Sequence, residues 1–141
     1  MIEICGVPFG GQSVPVLAGP CSVESEEQLR TIASSLSEIR VPFLRGGLFK
    51  LRTNPKSFQG LGEAGFEIAK SISEHFKMPF TTEITDIRQI EKLYDVASIF
   101  QVGTRNMYNY DLLKELGKSK KPVLLKRAFS CLLYTSDAAD D

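Results

Sequence analysis

Four cations, Arg45, Lys50, Arg52 and Lys56, fall within a dozen residues, interleaved with Gly46-Gly47 and with Thr53 beside the second arginine. Guanidinium forks and ammonium groups at this density suit phosphate or carboxylate oxygens, which arginine binds bidentately. The glycines allow a backbone to approach a ligand closely. A solvated basic loop has the same composition, so the segment alone decides nothing. Further groups with chemical potential are Cys21 in a turn of small residues, Glu83, the run Gly103-Thr104-Arg105, and the pair Lys126-Arg127. Each of them directly follows a short apolar run.

Those runs are the elements that must position the chemistry. Val14–Gly19, Val41–Leu44, Met78–Thr82, Ser98–Val102 and Pro122–Leu125 read as strands, and prolines at positions 15, 42, 79 and 122 mark four of their starts, where a missing N–H is tolerated. Between them lie helical stripes: Leu29, Ile32, Ala33, Leu36 and Ile39; then Phe66, Ala69, Ile72 and Phe76; then Ile87, Ile90, Leu93 and Tyr94; then Leu112, Leu113 and Leu116. Ser25 with Gln28, and Asp86 with Gln89, have the spacing of capping boxes. Gly117 is placed to end the last helix in the left-handed conformation. Residues 1–13, with Phe9-Gly10-Gly11, suggest a small hairpin or cap.

Strands alternating with amphipathic helices imply βα units and a parallel sheet. In such folds ligands bind at the carboxyl ends of the strands. Five successive strand ends then deliver Cys21; Arg45, Lys50, Arg52 and Thr53; Glu83; Arg105; and Lys126 with Arg127 to one rim. Mostly cationic, with Glu83 opposing, that rim suits a strongly anionic small substrate, or two. Cys21 among these cations would favour its thiolate, as a metal ligand or nucleophile, whereas a lone cysteine in such a turn is ordinarily a buried apolar residue. The single histidine, His75, falls in the last turn of the second helix beside Phe76 and reads as a surface residue, so a Cys–His dyad is not expected.

Composition bounds the alternatives. The 141 residues are 43% hydrophobic with a formal net charge of zero, which gives no overall electrostatic reason to expect nucleic acid or a membrane surface. Three cysteines without C-x-x-C spacing argue against a disulfide framework or zinc knuckle and for a reducing, cytoplasmic setting. No secretory signal and no run of about 18 apolar residues is visible. Residues 131–141 follow neither periodicity and resemble translated sequencing-adapter read-through, a foreign tail; an ordinary acidic C-terminus is the alternative.

In order and spacing, Ala18-Gly19-Pro20-Cys21-Ser22-Val23-Glu24-Ser25, Arg45-Gly46-Gly47 with Phe49-Lys50 and Arg52-Thr53, Ser57 to Gly62, Thr82-Glu83, Gln101 to Met107 and Pro122 to Arg127 resemble the class I 3-deoxy-heptulosonate 7-phosphate (DAHP) synthases. The likeness runs from about Val14 to Ser130. It implies an α/β fold, a (β/α)₈ TIM barrel here truncated to about its first five βα strands, with residues 14–130 as that part of the barrel. It also implies condensation of phosphoenolpyruvate with erythrose 4-phosphate and water, releasing phosphate, the first step of the shikimate pathway. By analogy Cys21 is one ligand of a divalent metal (manganese, iron, cobalt or zinc), and Arg45, Lys50, Arg105 and Lys126 hold phosphoenolpyruvate. Lys50 and Glu83 are the expected catalytic pair, while Arg52 and Thr53 take the sugar phosphate. The family's usual proline between the lysine and arginine is Leu51 here, and its usual alanine before Arg105 is Thr104; neither change removes a charge. The remaining ligands, a histidine, a glutamate and an aspartate, belong to later strands, so this chain is expected to lack activity although its parent, an expected homo-oligomer, has it. The rival within the superfamily is 3-deoxy-octulosonate 8-phosphate synthase, which takes arabinose 5-phosphate and typically has Ala-Asn-Arg after the lysine. A non-catalytic phosphoanion-binding fragment is the rival from another class.

Overall fold

The computed structural model describes residues 1–50, 52, 54 and 56–127. Its elements run β1 (Ile2–Ile4), β2 (Val7–Phe9), β3 (Leu17–Ala18), α1 (Glu26–Glu38), β4 (Phe43–Arg45), α2 (Phe66–Phe76), β5 (Phe80–Glu83), α3 (Gln89–Leu93), β6 (Ile99–Val102), α4 (Tyr110–Ser119) and β7 (Val123–Leu125). Strands β3 to β7 form one parallel sheet in sequence order, β3-β4-β5-β6-β7. A doubly wound sheet reverses its strand order at a switch point; this sheet never does. Monotonic order, with helices on one face only, is the arrangement of a barrel wall. The chain is therefore about half of a (β/α)₈ barrel.

Alternation along each strand sorts the side chains onto the two faces. Leu44, Phe80, Phe100 and Val102 point outward and pack with Leu29 and Ala33 of α1, Ala69 and Ile72 of α2, Ile90 and Leu93 of α3, and Leu112 and Leu116 of α4. The registers Leu44↔Phe80 and Thr82↔Phe100 keep these positions level across strands. On the opposite face, Phe43 and Ile99 join Ile4 and, at its margin, Val7, Phe9 and Leu17 in a second apolar cluster. The hairpin of residues 2–9 is thus a plug. The hairpin β1–β2 closes the amino-terminal end of the barrel interior, with the Phe9 and Phe43 rings 5.6 Å apart. Its turn is made by Cys5 and Gly6, both at positive φ, and not by Gly10-Gly11.

The helices follow their stripes with corrections at the ends. Ser25 caps α1 by accepting the Gln28 N–H, while the Gln28 side chain reaches back to the N–H of Glu24, one residue earlier than the standard box. Ile39, expected on the buried stripe, is the C-cap just beyond α1 and is 72% exposed. In α3 the helix is only five residues long, so Ile87 and Tyr94 lie beyond its two ends and are each 43% exposed. Gly117 does not end α4. The helix continues to Ser119, and Lys120 takes the left-handed position. Arg40 and Lys77 do the same after α1 and α2. A cation at a helix C-terminus is favoured by the helix dipole and the free carbonyls, which offsets part of what glycine would have spared in backbone strain.

Candidate active site at the strand ends

Going up the interior face, the side chains become more polar: Phe43 then Arg45 on β4, Thr81 then Glu83 on β5, Ile99 then Gln101 on β6. The hairpin buries the lower tier. The upper tier opens into a cavity of about 400 Å³ lined by Cys21, Lys50, Arg52, Glu83, Gly103, Thr104, Arg105 and Lys126. Residues up to 105 positions apart in sequence meet there because five parallel strands end on the same rim. A larger groove of about 520 Å³ runs along the outer face between α3 and α4, lined by Ile87, Ile90, Tyr94 and Glu115 among others. It receives none of the strand-end residues, so the chemistry is assigned to the rim.

The β3–α1 and β4–α2 loops are locked together. The Val23 N–H donates to the Gly47 carbonyl at 2.9 Å. A Cβ on Gly47 would lie 2.6 Å from the Cys21 carbonyl oxygen, and one on Gly46 would lie 2.7 Å from the Val23 side chain. These two glycines therefore admit the neighbouring loop, where the sequence had suggested a ligand. Arg45 Nη1 donates to the Pro20 carbonyl at 3.1 Å, tying the arginine to the cysteine turn. Further on, the Lys50 N–H donates to the Gln59 carbonyl at 2.7 Å and the Gly62 N–H to Leu48 at 2.8 Å. Gly60 makes that return possible: its φ is +94°, and a Cβ there would sit 2.2 Å from the Leu48 oxygen.

This clamp places the Lys50 ammonium 2.9 Å from Cys21 Sγ. The ammonium holds the Cys21 thiol below its usual value, chiefly through this hydrogen bond; partial burial opposes it, and the charges of Lys50, Arg45 and Arg52 add to it. Cys21 is exposed, not buried, so the reading as a core residue is set aside. Glu83 lines the same cavity, and Gln101 Nε2 donates to its Oε2 at 3.4 Å. Arg45 does not line the cavity; it acts on it from behind through its charge and its bond to Pro20. Thr53 lies outside the described residues, as does the stretch 131–141. His75 is on the surface, its ring 4.7 Å from that of Phe76.

As a metal site the described residues are incomplete. Among them no group of three His, Cys, Asp or Glu residues converges. Cys21, exposed and biased toward thiolate, is chemically suited to be one donor; an ion would need its other donors from outside the described residues. Sequence reasoning assigned no separate part to Gln101 or Gly103. The register Glu83↔Gln101 on adjacent strands is the signal that places Gln101 beside Glu83.

The profile of the DAHP synthetase I family matches residues 6–140. The chain belongs to this family. It is 43% identical over 129 residues to the phospho-2-dehydro-3-deoxyheptonate aldolase of Thermotoga maritima, covering 92% of this chain and 38% of that protein. It is 31% identical over 134 residues to a 2-dehydro-3-deoxyphosphooctonate aldolase of Syntrophotalea carbinolica, covering 89% of this chain and 48% of that one. The crystal structure of the Thermotoga maritima heptonate aldolase (DAHP synthase) superposes with a TM-score of 0.76 at 42% identity over 83% of this chain and 33% of the other. A truncated form of the 3-deoxy-D-arabino-heptulosonate 7-phosphate synthase from the same organism superposes at 0.73. The chain spans less than half the length of these relatives. Among the described residues no helix is long and apolar enough to cross a membrane.

Proposed function

We propose that this chain supplies the phosphoenolpyruvate-binding half of a cytoplasmic DAHP synthase, which joins phosphoenolpyruvate to erythrose 4-phosphate and releases phosphate. The observation that carries this reading is the convergence of Lys50, Arg52, Arg105 and Lys126 with Glu83 and Cys21 on one cavity. Lys50, Arg105 and Lys126 hold the carboxylate and phosphate of phosphoenolpyruvate, and Arg45 reinforces their field from below. Arg52, with Thr53, takes the phosphate of the sugar. Two anions repel each other in water; cations fixed in advance hold both at reacting distance and remove that cost. Glu83, the one carboxylate lining the cavity among the described residues, handles the proton of the water that adds at the second carbon of phosphoenolpyruvate, and Lys50 balances the charge that develops. Cys21 is one donor of a divalent metal whose other donors lie outside this chain; when bound, such an ion polarises the sugar aldehyde as a Lewis acid.

The heptonate reading is preferred to the octonate one because the heptonate relative is the more similar, at 43% against 31% identity. The loop also has Leu51-Arg52-Thr53 where octonate enzymes are expected to have Ala-Asn-Arg. The test is an assay of the full-length parent with phosphoenolpyruvate and either erythrose 4-phosphate or arabinose 5-phosphate, with and without chelator, beside the 141-residue chain. Turnover of erythrose 4-phosphate by the parent alone is expected. Preference for arabinose 5-phosphate would replace the reading, and turnover by the 141 residues would show that the later strands are dispensable.

A further inference from the structure

Among the described residues, Glu83 brings the one carboxylate lining a cavity that also carries four cationic side chains. Left to itself such a side chain can swing toward any of several cations, and each of those pairings would cancel charge needed by anionic substrates. Two neighbours restrict it. Gln101 is directly opposite on β6, only 3% exposed, and its Nε2 donates to Oε2 at 3.4 Å. Gly103, two residues further up the same interior face, leaves room for the other oxygen: a Cβ there would lie 2.2 Å from Glu83 Oε1 and 3.1 Å from its carboxyl carbon. The glycine's φ is not positive, since it is −68°. Space, and not backbone conformation, is what this glycine supplies.

We propose that Gln101 and Gly103 are positioning residues for Glu83, holding its carboxylate toward the cavity with a neutral donor on one oxygen and an unobstructed seat for the other. A neutral amide orients the carboxylate without neutralising it, whereas an arginine or lysine at position 101 would do both. The inference rests on the proposed synthase reading and deepens it, because it concerns how the acid–base group of that reaction is aimed.

The test is made in the full-length parent. Gln101→Met keeps the length of the side chain and removes the donor; losing one hydrogen bond to a charged group is expected to lower kcat about tenfold. The KM for phosphoenolpyruvate should stay within about twofold, since the binding cations are untouched. Gln101→Met added to Glu83→Gln should lower kcat no further than Glu83→Gln alone, which a merely structural glutamine would not produce. Gly103→Ala should lower kcat as well, and its crystal structure should show the Glu83 carboxylate displaced with the β6 backbone unchanged. A wild-type kcat in Gln101→Met, or a loss additive with Glu83→Gln, overturns the positioning role while leaving the synthase reading standing. A wild-type parent without turnover overturns the synthase reading, and this inference with it.

Discussion

At the scale of single residues, Cys21 and Lys50 define the chemistry most sharply. Their 2.9 Å contact joins two loops, and the ammonium favours the thiolate. A thiol depressed by a cation reacts at lower pH than a free one. Iodoacetamide should therefore alkylate Cys21 readily near neutral pH in the chelator-treated chain, with Cys5 and Cys131 replaced by serine. Lys50→Met should move the rate–pH profile upward and slow the neutral rate by roughly three- to tenfold. An unchanged profile would mean that the ammonium does not govern the thiol. Some of this is legible in the sequence: both residues follow strand-like runs, but their separation of twenty-nine positions gives no hint that they touch.

At the scale of elements, the helix starts show how local sequence sets local structure and where it stops doing so. Asp86 and Gln89 do bond to one another, but in the turn ahead of α3; the helix itself starts at Gln89, with Arg88 at its N-cap and no side-chain cap. The Gln89 Oε1 accepts from the N–H groups of Thr85 and Asp86, and Asp86 Oδ1 accepts from the Arg88 N–H. What the spacing does not reveal is that the Arg88 side chain folds back onto Asp86 at 2.8 Å. That contact, together with the Arg88 N–H, lowers the exposed Asp86 carboxyl from its usual 3.8 to about 2. A carboxylate depressed on folding contributes stability above its ordinary value and loses that contribution as pH falls through its folded value. An NMR titration should find Asp86 half-protonated near pH 2, and Arg88→Ala should return the midpoint toward 3.8. A wild-type midpoint already near 3.8 would refute the contact in solution. The same helix is where periodicity overreached, since α3 is too short to bring Ile87 and Tyr94 inside.

At the scale of the molecule, half a barrel has to bury an interior face that a whole barrel would fill from the opposite wall. The hairpin β1–β2 does this at the lower end, with Ile4, Val7 and Phe9 against Phe43, Ile99 and Leu17. Phe43 is fully buried by that packing. Phe43→Ala should cost about 3–5 kcal/mol in urea unfolding of the chain, the usual range for a buried phenylalanine. A loss below about 1 kcal/mol would show that the plug is not seated in solution. The other edge is less well covered. Among the described residues β7 pairs only with β6, and Val123 and Leu124 are exposed, so further strands would find an open ladder and an apolar surface there.

The sequence by itself determined the βα alternation, the sorting of cations to strand ends and the family motifs, because hydrophobic period and turn chemistry act over a few residues. It also placed the cap of α1 at Ser25, whereas α3 starts two residues later than its Asp86 signal implies. Only the tertiary structure decided that Gly46 and Gly47 make room for the cysteine turn, that Arg45 is spent on Pro20, that the hairpin β1–β2 plugs the barrel, and that Gln101 and Gly103 frame Glu83. Each of these depends on which strand lies beside which and in what register, and that is settled by packing between segments distant in the chain.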